Sequence, residues 1–289
     1  MSSSSHAPAA LSRLTLTGFL TLLLIALMMG ANHVAARIAF NHGVDVVTAV
    51  TFRSTVTALV VAGIVWQQKV SLQLATRQRR SLLLIGGLIA VQSVCLYSAV
   101  ARLPVALALL AFNTYPLLTA LWARVLYGHR PERAVLLAMP LILTGLALAL
   151  DVLGAASGLG AAQHWGHIGL GVAFALAASA TFGLALVITQ HEAADVDGRL
   201  RTFTTMATVA VLAAGVGATQ SGFHWPNASA GWWGLGALTF LYGTAFTIMF
   251  TVLPKLGVVG NSAIMNVEPV FALVPVSYTH LTLPTICSV

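Results

Sequence analysis

The chain has 289 residues, of which 58% are hydrophobic and only 7% are charged, and its mean hydropathy is +0.91. A soluble domain carries about 25% charged residues, and a disordered chain needs low hydrophobicity, so the composition excludes both. Lysine and arginine total 14 against 7 acidic residues, but they lie in short clusters between apolar runs, which argues against nucleic-acid binding. The composition therefore indicates an integral membrane protein.

Nine apolar segments are long enough to cross a bilayer as helices, which takes about 20 residues each. Their approximate bounds are 14–36, 44–66, 81–101, 104–127, 133–154, 167–190, 202–220, 231–253 and 257–275. The first segment is of full span length and lacks a clear cleavage site, so we expect an uncleaved helix rather than a signal peptide. The pattern predicts an all-α membrane protein.

Basic residues predict the orientation of these spans, because cytoplasmic loops of membrane proteins carry an excess of lysine and arginine. With residues 1–13 in the cytoplasm, the basic residues on that side are Lys69, Arg77, Arg79, Arg80, Arg130, Arg133, Arg199, Arg201 and Lys255. The opposite side receives only Arg37 and Arg102, together with most of the tryptophans. We therefore expect a multi-pass protein of a bacterial-type cytoplasmic (inner) membrane.

A weak internal repeat relates the two parts of the chain. Shifting residues 97–121 by 153 positions places them on residues 250–274 without a gap. This offset aligns Arg102 with Lys255, Asn113 with Asn266 and Pro116 with Pro269. It contains five spans, an odd number, so the second copy enters the membrane in the opposite direction. Chance similarity in a chain rich in Ala, Leu and Val is the alternative.

The repeat predicts a division into a first five-helix half at 14–154, an external linker at 155–166 and a second, four-helix half at 167–275. The last residues, 276–289, are more polar, and Val276–Thr285 resembles the translation of a sequencing adapter. We expect the native protein to continue past Pro275 into a tenth helix. A natural polar tail is the alternative.

Several strings resemble the EamA family of the drug/metabolite transporter superfamily over residues 14–275. They are MGANHVAARIA at 29–39, FRS at 52–54, LYSAVARLPVALALLAFNTYPLLTAL at 96–121, GHRP at 128–131 and NVEPVFAL at 266–273. The resemblance implies ten helices in two inverted halves and transport of small metabolites, often outward. Two departures are His129, where the family usually has an acidic residue, and the absent tenth helix.

Two charged residues lie deep inside expected spans, where a charge is expensive and marks a functional candidate. Arg53 lies about nine residues into the second span and Glu268 about eleven residues into the ninth. As parts of a substrate cavity, Arg53 would bind an anionic group and Glu268 a cation, an amine or a proton. The alternative is a structural role, either as an ion pair with each other or in contact with backbone carbonyls.

The two N-x-x-P segments give further candidates, because proline removes one helical hydrogen bond and frees a carbonyl one turn earlier. Asn113 and Asn266 either coordinate substrate at broken helices or join helices by hydrogen bonds, and we favour the second interpretation. Tyr115, the repeat mate of Glu268, is the better candidate for lining the path.

Asn32 and His33 lie near the outer third of the first span. Histidine titrates near neutral pH, which makes His33 a candidate for proton coupling, but a satisfied interfacial histidine is the favoured interpretation. Tyr97, Tyr242 and other aromatic residues are assigned to core packing in preference to a cavity wall. No histidine spacing suits a metal, and we expect no cofactor.

The function that fits best is a secondary transporter. No P-loop occurs, so this chain does not use ATP directly. An intramembrane enzyme would need a constellation such as H-E-x-x-H or G-x-S-x-G, and neither is present. A scaffold does not explain buried charges within an inverted repeat. We expect a small-molecule substrate, a lipid bilayer around the chain and no nucleic-acid partner.

Overall fold

The helices of the protein are defined in a computed structural model that describes residues 16–129, 140–141, 143–148, 150, 161–220 and 222–251. The helices are α1 (Leu16–Asn41), α2 (Val46–Gln67), α3 (Thr76–Arg102), α4 (Val105–Phe112), α5 (Tyr115–Tyr127), α6 (Ala161–Glu192), α7 (Gly198–Thr219) and α8 (Ser229–Thr251). Residues 140–141 and 143–148 are also helical, and the described part of the chain contains no strand.

Short polar residues and glycine set several helix ends. Asp45 caps α2 by accepting a hydrogen bond from Thr48 N at 3.2 Å, and Asp197 caps α7 by accepting one from Arg199 N at 2.8 Å. Such caps satisfy backbone donors that have no partner within the helix. Gly128 ends α5 with a left-handed φ of +69°, a conformation that glycine adopts without the steric cost of a Cβ.

The fourth predicted span is broken where the sequence places its proline. Helix α4 ends at Phe112 and α5 begins at Tyr115, with Pro116 in its first turn. Proline has no backbone donor and fits only the first turn of a helix. The break therefore falls at Asn113 and Thr114, within the N-x-x-P segment.

The predicted bounds need correction at the linker predicted for 155–166. Residues 161–166 belong to α6, which begins at Ala161. The polar residues near 164–167 suggested a loop, but a helix can continue past the apolar core into water, and alanine favours this. The same reason explains why α3 begins at Thr76 rather than near 81. Most of the predicted fifth span and the whole ninth span, with the tail, lie outside the described residues.

Six spans in the described part of the chain are long and apolar enough to cross a membrane. They are Leu16–Asn41, Val46–Gln67, Thr76–Arg102, Val105–Tyr127, Trp165–Glu192 and Gly198–Thr219. Large apolar side chains also face outward, among them Leu59 and Phe240, each 68% exposed. In water such surfaces would be unfavourable, whereas lipid tails cover them without cost. The protein is an all-α, multi-pass membrane protein.

Contacts between two helices recur between the repeat mates of those helices, so the two predicted halves exchange partners. Helix α3 packs against α6, and α8, the repeat mate of α3, packs against α1, the repeat mate of α6. Similarly, α3 packs against α7 and α8 against α2, while α2 and α7, which are mates of each other, pack together. A twofold relation between two halves requires this exchange.

Residues group at two ends of the bundle. The basic end holds the α2–α3 and α6–α7 connections and the end of α5, with Lys69, Arg77 and Arg199. The tryptophan end holds the α1–α2 and α7–α8 connections and the start of α6, with Trp165, Trp225 and Trp232. These two names are used below for the two ends.

Candidate functional site

Arg53 lies near the middle of α2 and is 2% exposed. Seven residues separate it from the start of the helix at Val46, about 10 Å along the axis at 1.5 Å per residue. The guanidinium therefore cannot reach water by extending along the helix to either end. Its partners must come from the surrounding helices, and all of those found among the described residues are neutral.

Two hydroxyl groups of α3 accept hydrogen bonds from the Arg53 guanidinium. Nη1 donates to the Tyr97 hydroxyl oxygen at 3.0 Å, and Nη2 donates to Ser93 Oγ at 3.0 Å. Tyr97 in turn donates to Asn32 Oδ1 of α1 at 2.9 Å. Side chains of three helices are thus linked in one polar network that starts at a buried cation.

Aromatic rings cover the guanidinium of Arg53. Its Cζ lies 3.7 Å from the centroid of the Tyr242 ring on α8 and 4.7 Å from the centroid of the Tyr97 ring on α3. Rings stabilise a cation through their negative faces, and more strongly where water is excluded. Because α8 belongs to the second predicted half, the cation lies between the two halves.

Two buried donors of this network have no hydrogen-bond partner in the part of the chain that the structure describes. They are Arg53 Nε and Asn32 Nδ2. Leaving a buried donor without a partner costs about 1–3 kcal/mol, and more when the group is charged. No carboxylate among the described residues forms an ion pair with Arg53 either. The network therefore has spare donors and a net positive charge.

His33 joins the same region as Arg53 and Asn32. Asn32 is fully buried and His33 is 4% exposed, and the His33 ring meets the edge of the Tyr97 ring at 5.7 Å. The α1 face that carries His33 therefore packs inward toward Tyr97, and the expected depth of His33 near the membrane surface stays a prediction. Three of the predicted site residues are brought together.

Asn113 and Tyr115 lie in a separate aromatic cluster at the break between α4 and α5. The Tyr115 ring contacts those of Phe112 and Phe182, with centroids 5.5 Å and 5.0 Å apart. Asn113 Nδ2 donates to Leu109 O of its own helix at 2.8 Å. The neighbouring Thr114 makes a hydrogen bond between helices, because its hydroxyl oxygen lies 3.0 Å from that of Ser179 on α6.

The predicted candidates Glu268 and Asn266 lie outside the described residues. Sequence reasoning assigned Tyr97 and Tyr242 to core packing and did not single out Ser93. A signal was present for Ser93, because the Gln92-Ser93 pair interrupts an otherwise apolar stretch of α3. The tyrosines carried no such signal, since buried aromatic residues are common in any helix bundle.

Comparison with known proteins agrees with this architecture. The model of the EamA-like transporter family matches residues 16–150. Residues 16–150, called the EamA segment below, are therefore similar to this family over slightly less than half of the chain. Arg53, Asn32, His33 and Tyr97 all lie within the EamA segment, and Tyr242 lies outside it.

A solved crystal structure, described only as that of a protein, has the same fold beyond the EamA segment. It has a TM-score of 0.57 and 21% sequence identity, and the alignment covers 92% of this chain and 90% of that chain. At this identity the similarity concerns the fold alone. No curated protein matches the chain.

The match of the EamA segment indicates a drug/metabolite transporter-like membrane protein. Within the described residues, no group of three or more His, Cys, Asp or Glu side chains is placed to hold a metal ion. The polar network around Arg53 consists of hydroxyl, amide and guanidinium groups, with the His33 imidazole packed against Tyr97. Such groups bind and orient a polar molecule by hydrogen bonds.

Proposed function

We propose that the chain is a secondary transporter that exports small metabolites, such as amino acids or related compounds, by alternating access between two inverted halves. The proposal places the substrate beside Arg53, with the substrate's carboxylate accepting hydrogen bonds from Arg53 and Asn32. It also places residues 1–13 in the cytoplasm of a cell with a bacterial-type inner membrane.

The observation that carries this proposal is the buried Arg53 with a spare donor and no carboxylate partner among the described residues. An arginine at the membrane centre costs about 2.5–3.5 kcal/mol on insertion scales. The two hydroxyl acceptors and the two rings recover part of this cost. A substrate carboxylate would satisfy the remaining donor and neutralise the charge.

The position of the cation between the helices of both halves supports alternating access. The Arg53 guanidinium donates a hydrogen bond to Tyr97 of α3 and lies against the Tyr242 ring of α8. Rocking of one half against the other would change the distance between these two contacts. A substrate bound at that boundary would then be exposed to each side of the membrane in turn.

The remaining candidates are given roles around this centre. Glu268 would bind the substrate's amine or carry a coupling proton, and His33 is the second candidate for proton coupling because histidine titrates near neutral pH. Tyr115, Asn113 and Asn266 would line the path at the two helix breaks.

The test is transport measured in cells that carry the gene, with Arg53 changed to Gln and to Lys. We expect Arg53→Gln to reduce export at least tenfold, which corresponds to about 1.4 kcal/mol of lost binding. Arg53→Lys keeps the charge but loses the forked donors, so we expect an intermediate rate. Arg102→Gln is the matched control, because Arg102 bonds within its own helix and contacts Phe174 near the tryptophan end.

The outcomes separate the rival classes of protein. Export unchanged in both Arg53 variants, with wild-type levels of folded protein, would contradict the site. If no tested amino acid or related compound is exported by the wild type, the substrate class is wrong. A wild-type chain that moves none of a wide panel of metabolites would favour the scaffold or the intramembrane enzyme.

A further inference from the structure

A groove with a volume of about 620 Å³ opens on the side of the bundle at the basic end. Its walls are mostly apolar and include Val65, Trp66, Val70, Leu72 and Phe203. Trp66 is 84% exposed and Leu72 is 65% exposed. Tryptophan is enriched where helices leave the hydrocarbon core and meet the head groups of lipids, so the groove lies at the depth of one membrane surface.

Lys69 stands at the rim of this groove in an unusual backbone conformation. It follows α2 with a φ of +50° and is the one described residue other than glycine with a positive φ. Lys69 N donates to Trp66 O at 3.1 Å, and Val70 N donates to Val65 O at 3.1 Å. These two bonds form a Schellman motif, in which the position held by Lys69 is usually glycine.

The contrast with α5 makes the choice of lysine informative. Helix α5 ends at Gly128 with a φ of +69°, which follows the usual rule. A residue that breaks a local rule often marks a functional position. Lysine at this position adopts a backbone conformation that costs it more than it would cost glycine, and it places a cation beside an apolar groove.

The charge of Lys69 is not neutralised within the described part of the chain. No carboxylate there forms an ion pair with it, and Asp197, on the neighbouring α6–α7 connection, is engaged by Arg199, with Nη2 and Oδ2 2.6 Å apart. The side chain of Lys69 is exposed. An anionic group therefore finds a cation available at the rim.

We propose that this groove binds an anionic phospholipid, with an acyl chain against the apolar wall and the phosphate on Lys69. An apolar groove next to a single cation at the membrane surface matches the two parts of such a lipid. The groove is distinct from the Arg53 network, since Ala62, its nearest lining residue on α2, lies nine positions or about 14 Å along the helix from Arg53. The proposal does not depend on the transported substrate.

The test measures the thermal stability of the purified, delipidated protein in detergent with added phosphatidylglycerol or phosphatidylcholine. We expect phosphatidylglycerol to raise the midpoint of unfolding by several degrees and phosphatidylcholine to have a much smaller effect. Lys69→Gly removes the cation while relieving the backbone, so the variant should fold at least as well as the wild type. It should bind phosphatidylglycerol at least tenfold more weakly.

Two further variants and inorganic phosphate serve as controls for the charge, its position and the apolar wall. Lys69→Arg should keep the preference for phosphatidylglycerol, and Arg79→Gln, which removes an exposed cation at the same end, should leave it unchanged. Equal effects of the two lipids on the wild type, or full binding of phosphatidylglycerol by Lys69→Gly, would overturn the proposal. Inorganic phosphate that stabilises as well as the lipid would also overturn it, because the groove would then not be used.

Discussion

The predicted repeat relates two contacts that are built with different chemistry. They are the contact between α3 and α6 at the basic end and the contact between α1 and α8 at the tryptophan end. At the basic end, Arg77 of α3 forms a two-pronged ion pair with Glu192 of α6, with hydrogen bonds of 2.8 Å and 3.0 Å. At the tryptophan end, Gly234 of α8 lets its helix approach the backbone of Ala35 and Ala39 on α1.

Aromatic residues reinforce the contact at the basic end. Tyr127 donates to Glu192 Oε1 at 3.4 Å, and its ring stacks on that of His191 with a centroid separation of 3.7 Å. His129 meets the edge of the His191 ring at 5.0 Å. Together with Arg77 of α3, these groups come from the ends of α5 and α6, so both predicted halves contribute to the contact.

This contrast in chemistry indicates which end separates more easily. An exposed ion pair contributes about 0–1 kcal/mol, because water solvates the separated charges nearly as well, and the Arg77 side chain is 79% exposed. Close packing through a glycine loses many dispersion contacts at once when the helices part. We therefore expect the basic end to open first, with the tryptophan end as the firmer closure.

The largest expected effect comes from filling the space at Gly234. A Cβ at this position would lie 2.8 Å from Ala39 N and 2.9 Å from Ala35 O, and backbone atoms cannot move aside as a flexible side chain can. We expect Gly234→Leu to destabilise the protein by about 3 kcal/mol, at the upper end of overpacking costs. The unfolding midpoint in detergent measures this loss.

Gly236 on the same helix is the matched control, because a Cβ there would meet nothing within 4 Å. Gly236→Leu should therefore unfold close to the wild-type midpoint. Equal destabilisation by the two changes would mean that the loss of a flexible glycine, and not the close approach of α1 and α8, governs stability at this end.

A smaller effect is expected from breaking the ion pair at the basic end. Arg77→Ala should lower the unfolding free energy by about 1 kcal/mol or less, since the Arg77 side chain is largely exposed. It should also raise the labelling rate of a cysteine introduced at His191, because the ends of α3 and α6 separate more often. Exchanging the charges, with Arg77→Glu and Glu192→Arg together, should restore the wild-type rate.

Labelling that is unchanged in Arg77→Ala, while it rises in a variant that loosens α1 from α8, would reverse the expected order of opening. Residues other than the Arg77–Glu192 ion pair and Gly234 would then determine which end of the bundle opens first.

The smallest effect is expected from acid at the α6–α7 connection of the basic end. The side-chain hydrogen bond from Arg199 lowers the pKa of Asp197 from 3.8 to about 2. A lowered folded-state pKa means that the stabilisation is complete above about pH 4 and is lost as the pH falls toward 2. Asp197→Asn should remove this part of the pH dependence while leaving the midpoint at pH 7 only slightly lower. An unchanged acid profile in Asp197→Asn would assign the acid sensitivity to other carboxylates.

The sequence predicted the helical membrane architecture because membrane spans need long apolar runs, and six such spans are present in the described residues. It located the perturbation of the fourth span at Pro116 because proline acts locally, but it favoured a helix joined to its neighbours there over a broken one. It also selected Arg53, Asn32 and His33, since a polar group deep in a span is expensive wherever it lies.

The rest depended on which helix faces meet, and one sequence does not specify this. Tyr97 could be identified as a partner of Arg53 only once α3 was placed beside α2, and Tyr242 only once α8 was placed there as well. Glycines show the same limit, because Gly234 and Gly236 are alike in the sequence and differ only in what lies opposite each of them.

The most direct test of the proposed transporter is export of a radiolabelled amino acid panel from cells carrying the wild-type gene, Arg53→Gln or Arg102→Gln, at matched levels of folded protein. We predict that the wild type and Arg102→Gln export the same compounds and that Arg53→Gln exports them at least tenfold more slowly. Wild-type export by Arg53→Gln would contradict a substrate site at the buried guanidinium.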